Sequence, residues 1–90
     1  MKVPYNQEFR LLKLLGDGAL HSGVQLLQIT GGQPEGRIPT PSLYVALRRL
    51  AACGLVKSES PHAGDARLRA YEITPKGLQA LPLLVQIEAL

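Results

Sequence analysis

Two arginine-bearing stretches carry the chain's clearest chemistry. Arg48 and Arg49 are adjacent, and Arg67 and Arg69 are separated by one residue. A guanidinium is planar and permanently charged. Its paired N–H groups match a phosphate or the O6/N7 edge of guanine. Thr40 and Ser42 add short hydroxyl donors just upstream, and Val45 offers a branched apolar surface of the kind that meets a thymine methyl group. These residue types point to a polyanion, double-stranded DNA, as the partner. The charge distribution agrees. The 90-residue chain has a formal net charge of +3. Seven basic residues (Arg37, Arg48, Arg49, Lys57, Arg67, Arg69, Lys76) and three acidic ones (Glu59, Asp65, Glu72) fall between Arg37 and Lys76, leaving the remainder slightly acidic.

Other chemistries find no support. There is no nucleophile–base pair in a recognisable context, no phosphate-binding or dinucleotide glycine pattern and no metal-ligand cluster. Neither enzyme activity nor a cofactor or metal is expected. Cys53 is the only cysteine, which rules out a disulfide within one chain and fits a reducing, cytoplasmic setting. No apolar run reaches the ~18 residues of a membrane span, and Met1 to Phe9 lacks the apolar segment of a signal peptide.

The length fits a single domain, residues 1–90. Helical spacing predicts a first helix over 5–15, with Asn6 as a cap and Phe9, Leu11, Leu12, Leu14 and Leu15 as its apolar stripe. Gly16-Asp17-Gly18 stops it. A second helix is predicted over 20–30, ending at Gly31-Gly32. Thr40-Pro41 reads as a cap followed by proline at the first helical position. It opens a third helix over 40–53 with Leu43, Ala46, Leu47 and Leu50 as its inner stripe and Gly54 as its stop. Residues 55–73 read as a hairpin around the turn Ser60 to Asp65, with Tyr71 and Ile73 facing the helices. Thr74-Pro75 repeats the start signal for a C-terminal helix over 75–90. That helix carries Leu78, Leu81, Leu84 or Val85, and Glu88 along one side, and Pro82 kinks or splits it. The fold class is mainly α (α+β). Three helices, a two-stranded β-hairpin wing and a C-terminal helix form the winged helix-turn-helix arrangement.

Three segments resemble PadR-like transcriptional regulators. Leu43-Tyr44, Ala46-Leu47, Arg49-Leu50 and Gly54-Leu55-Val56 are similar to that family's LYxALxRLxxxGLV core. Gly18-Ala19-Leu20-His21-Ser22 resembles its GPLHGY turn. Arg69-Ala70-Tyr71-Glu72-Ile73-Thr74-Pro75-Lys76-Gly77 resembles the RxYYxLTxxG end of the wing. The likeness covers about residues 10–80. It departs at Ser22, where the family has glycine, and after Gly77, where the family carries a longer C-terminal helix that makes the dimer. The resemblance implies a DNA-binding regulator and gives Tyr44 a packing role in the core or at its edge.

In such an arrangement the third helix lies in the major groove. Thr40, Ser42, Val45, Arg48 and Arg49 are then the candidate groove residues. Arg67 and Arg69, with His62 nearer the tip, suit backbone or minor-groove contact from the wing. Lys57 and Lys76 either touch phosphate or solubilise the surface. His21 reads as a capping or packing residue, and Cys53 as a buried thiol in the last turn of the third helix. Phe9, Leu12, Leu81, Leu83, Leu84, Val85, Ile87 and Leu90 exceed what one small core buries. They are expected to form a homodimer seam between first and last helices, so that two copies read a near-palindromic site. A repressor that occupies its operator is the leading reading. A winged-helix protein-interaction module and a plasmid or phage replication or partition protein are the alternatives. No polar cluster marks a pocket for a small-molecule effector.

Overall fold

The computed structural model describes residues 6–59 and 69–89. In order, the elements are α1 (Asn6–Leu15), β1 (His21–Ser22), α2 (Gly23–Gly31), α3 (Thr40–Ala52), β2 (Val56–Glu59), β3 (Ala70–Ile73) and α4 (Pro75–Ala89). Residues 60–68, which hold the predicted turn from Ser60 to Asp65 with His62 and the predicted start of the second strand at Arg67, lie outside the described residues.

The core forms where the leucine stripes of the helices meet the inner face of the sheet. Leu11, Leu12 and Leu15 of α1, Leu26 of α2, and Leu43, Ala46, Leu47 and Leu50 of α3 are buried together with Ile38, Val56, Tyr71 and Ile73. Removing a leucine side chain from water contributes about 1.5–3 kcal/mol, so these apolar contacts supply most of what holds the helices together. Phe9 and Leu12 belong to this interior, at 5% and 0% exposure. They are therefore not surplus apolar surface as expected. α1 runs against α3, and its double leucine spacing widens the stripe it can bury.

The sheet is three-stranded, not two-stranded, in the order β1-β3-β2 with both pairings antiparallel. His21 sits opposite Tyr71 and Ser22 opposite Ala70. The same two residues explain why α2 starts at Gly23 instead of residue 20. Ser22 is the N-cap: its hydroxyl accepts from Gln25 N–H, and the Gln25 side chain accepts from Ser22 N–H. This reciprocal capping box satisfies two otherwise orphaned donors. Ser22 is thus both the last residue of β1 and the first anchor of α2. His21 also contacts the Asp17 carboxylate at 2.9 Å. The Ala19 backbone N–H and His21 together hold the Asp17 carboxyl below its ordinary pKa.

The start of α3 differs from expectation in one residue. Pro39, not Thr40, occupies the cap position, and no side chain caps the helix. Leu43 N–H donates to the Pro39 carbonyl at 2.9 Å. Pro41 has no N–H, so one of the orphan donors that a cap would satisfy does not exist. α3 ends on Gly54, whose φ of +76° is the left-handed conformation that glycine adopts without penalty. Cys53, at the C-cap just before that turn, is exposed and not buried, because the inner stripe of α3 has already ended at Leu50.

At the other junction, Thr74 does cap α4. Its hydroxyl accepts from Gly77 N–H at 3.1 Å and donates to the Gly54 carbonyl at 2.6 Å. α4 continues through Pro82 without splitting. Leu81 and Leu84 pack on the core, which decides between Leu84 and Val85; Val85 is exposed, and Leu78 is exposed against expectation. The register is set at the first turn, where Gly77 lies against the Leu55 backbone and turns Leu78 outward. No helix among the described residues is long and apolar enough to cross a membrane.

Among the described residues two buried polar atoms have no hydrogen-bond partner, Arg10 Nε and the Tyr44 hydroxyl. The Tyr44 ring presses on Gly23, where a Cβ would lie 2.6 Å from the phenol oxygen. An unsatisfied buried polar atom costs about 1–3 kcal/mol. Tyr44→Phe is therefore expected to raise the urea midpoint, by about 1 kcal/mol of stability. A midpoint that falls would mean the hydroxyl has a partner in solution.

Candidate nucleic-acid interface

α3 buries one face and leaves the opposite one open. At 100° per residue, Leu43, Ala46, Leu47 and Leu50 point inward, and Pro41, Val45, Arg48 and Ala52 point outward. The outward residues are all exposed. The remaining candidates divide between the two flanks.

Arg48 lies on the flank of α3 that also carries Tyr44. Burial pushes the Tyr71 phenol above its ordinary pKa, while Arg69 and Arg48 pull it the other way. Arg69 directly precedes β3 and is exposed. Neither Arg48 nor Arg69 makes a hydrogen bond or ion pair among the described residues.

Arg49 lies on the other flank. Its guanidinium donates to the Glu8 carboxylate of α1 at 3.2 Å. The Arg49 side chain is 61% exposed and that of Glu8 only 12%. Ser42, Val45 and Arg49 line a shallow notch of about 260 Å³ with Gln7 and Glu8. The structure thus separates the adjacent arginines: Arg49 is paired with α1, and Arg48 has no hydrogen-bond or ion-pair partner among the described residues. Thr40 stands exposed at the N-terminal end of α3. Arg67 lies outside the described residues.

Two lysines are engaged internally. Lys57 pairs with Glu72 across β2 and β3 at 3.1 Å. Lys76 donates to the Cys53 carbonyl at 2.8 Å. It neutralises one free carbonyl at the C-terminal end of α3, where the helix dipole favours a cation. Sequence reading left both lysines between surface and phosphate contact. The pairings lie 15 and 23 residues apart in the chain and have no local signature.

Three other features went unassigned in the sequence. Arg10 clamps the loop between α2 and α3, donating to the Gln33 side chain at 2.9 Å and the Gly36 carbonyl at 2.6 Å. Arg37, in that loop, is exposed. A groove of about 540 Å³ opens between α1, the end of α3 and α4, lined by Phe9, Leu12, Leu50, Cys53, Leu55 and Leu84 among others. Among the described residues no cluster of three or more His, Cys, Asp or Glu side chains is arranged to hold a metal ion.

Three helices packed on a small antiparallel sheet, with the third helix presenting an open basic face beside the hairpin, define the architecture. The fold is a winged helix. The transcriptional regulator BldR from Sulfolobus solfataricus is similar over 92% of this chain and 54% of its own, at 26% identity and a TM-score of 0.72. A transcriptional regulator from Clostridium thermocellum is similar over 92% of this chain and 80% of its own, at 22% identity and a TM-score of 0.79. A PadR-family transcriptional regulator from Eggerthella lenta is similar over 91% of this chain and 70% of its own, at 24% identity and a TM-score of 0.77. The winged-helix chain spans about half the length of BldR. No protein-family model and no curated protein sequence matches it. The likeness to PadR-like regulators read from the sequence is thus matched by the fold.

Proposed function

We propose that this winged-helix chain is a sequence-specific, double-stranded DNA-binding transcriptional regulator. The observation that carries the reading is the open face of α3: Pro41, Val45 and Arg48 are exposed together, and neither Arg48 nor the exposed Arg69 has a hydrogen-bond or ion-pair partner among the described residues. An α-helix fits the major groove of B-form DNA, where an arginine distinguishes guanine from the other bases. Arg69, at the base of the wing, suits contact with the flanking backbone. Thr40, Ser42 and Val45 complete the groove-facing set, and Arg67, outside the described residues, is the further contact expected from the sequence. Arg49 has a structural partner in Glu8 and contributes to the interface through its exposed portion.

The regulator acts as a homodimer in this reading. Leu83 is 61% exposed on α4, with Leu78 and Val85 also open, and the apolar groove beside α1 adjoins Leu84. Covering these residues with a second copy sets two α3 helices against half-sites about 34 Å apart, giving a near-palindromic operator. Repression by occupying that operator and a cytoplasmic setting follow. The fold similarity to transcriptional regulators supports a binding role over catalysis.

Selection of bound fragments from random duplex DNA at two salt concentrations tests the proposal. The expected result is a two-fold symmetric motif whose binding weakens steeply as salt rises. Absence of both an enriched motif and salt-dependent binding would leave a protein-interaction module as the better reading. A motif present only as direct repeats would favour a replication or partition protein.

A further inference from the structure

The eight Lys and Arg residues among those described divide into two groups. Arg10, Arg49, Lys57 and Lys76 donate to the protein's own oxygen atoms, and Lys13 lies 4.5 Å over the Phe9 ring. Arg37, Arg48 and Arg69 have no hydrogen-bond or ion-pair partner among the described residues. Two of these three are already in the proposed interface. We infer that the third, Arg37, is a phosphate anchor for the duplex, gripping the DNA backbone at the N-terminal end of α3. The inference rests on the DNA-binding reading and adds a contact that no sequence motif marks.

The case comes from how the segment around Arg37 is held. Gly36 is tied by its carbonyl to Arg10. Ile38 is buried to 1% exposure, and its N–H donates to the Thr30 hydroxyl at 3.4 Å. Pro39 caps α3. Gly36 N–H also donates to the Gln33 carbonyl at 2.9 Å, and the Pro39 carbonyl accepts from Leu43 N–H at 2.9 Å, so both ends of the segment are pinned. With Ile38 inserted into the core, Arg37 and Pro39 both face solvent, and both are exposed. Glu35, two residues earlier, makes no ion pair with Arg37. The chain therefore fixes the backbone on both sides of Arg37 and leaves its guanidinium uncommitted. A cation on an already ordered backbone loses less freedom on binding than one on a loose loop. Its place, three residues before Thr40, puts it at the end of α3 where groove-facing residues begin. A phosphodiester there presents two charged oxygens to a planar donor pair.

The test is a binding titration of the full chain with a fluorescent duplex between about 50 and 200 mM salt. Each phosphate contact contributes about 0.9 to the slope of log affinity against log salt. Arg37→Gln is expected to reduce the affinity lost across that range by about threefold per bound protomer. Its selected base motif should stay the same, and Arg37→Lys should restore most of the slope. A salt dependence for Arg37→Gln equal to that of the unmodified chain would overturn the inference while leaving the DNA reading intact. A changed base motif would overturn the phosphate assignment in favour of base contact. Failure of the unmodified chain to bind duplex in a salt-dependent way would remove the underlying reading instead.

Discussion

Gly77→Ala should destabilise the fold by about 3 kcal/mol, at the upper end for a single added methyl group. The glycine lies in the first turn of α4, pressed against the backbone of Leu55. A Cβ there would collide with the Leu55 carbonyl oxygen and come within 2.6 Å of Ile73 Cγ1. Neither neighbour has room to yield. The Leu55 carbonyl accepts from Thr74 N–H, the Leu55 N–H donates to the Leu50 carbonyl, and Ile73 is held in β3 opposite Val56. Relief would require α4 to lift from the sheet, which would expose Leu81 and Leu84. Each kcal/mol lowers the melting temperature of a domain this size by about 4–8 °C, so thermal and urea unfolding read the effect directly. Gly31→Ala is the comparison, because nothing lies near a Cβ at that helical position. It should be neutral or stabilising by up to about 1 kcal/mol. Equal destabilisation of the two variants would contradict the close-packing account of Gly77.

Arg48→Ala should cost about 1–3 kcal/mol of specific binding, roughly tenfold to a hundredfold in affinity, with relaxed preference at the base pair it reads. Stability should barely change, since the side chain is exposed and has no hydrogen-bond or ion-pair partner among the described residues to strand. Arg49→Ala should behave in the opposite way. It removes the ion pair to Glu8, and with Arg49 so exposed the loss in stability is at most about 0.5 kcal/mol. The base preference should persist. Measuring bound motifs and unfolding midpoints for both variants separates the two roles. Relaxed specificity in Arg49→Ala and not in Arg48→Ala would reverse the assignment.

The inner side of α3 was legible because it depends on one periodicity. Leu43, Ala46, Leu47 and Leu50 have helical spacing, and Gly54 ends the run with the one conformation glycine alone adopts freely. Thr74-Pro75 marked the start of α4 for a similarly local reason. Thr40-Pro41 carried the same pattern and did not behave the same way, because Pro39 also fits the cap position. β1 was hidden. Two residues have no periodicity, and they pair with a strand from the far end of the chain. The division between Arg48 and Arg49 was equally unreadable, because the partner of Arg49 lies 41 residues away on α1. Adjacent identical side chains on a helix differ by 100° in direction, and only the surrounding elements say which direction meets solvent. For the same reason the outward turn of Leu78 could not be foreseen without the contact between Gly77 and Leu55.

The double role of Ser22 bears on how such a body would meet a flexible duplex. Swinging the hairpin relative to the helices would break the pairing of Ser22 with Ala70 and disturb the cap of α2 in the same movement. In the DNA-binding reading proposed above, the protein would have little compliance between α3 and β3, and the nucleic acid would supply the bending. Sites whose untouched base steps kink or narrow easily would then be favoured over stiff ones. Selectivity would appear at positions that no side chain reaches, set by the elasticity of the DNA and not by hydrogen bonds to it.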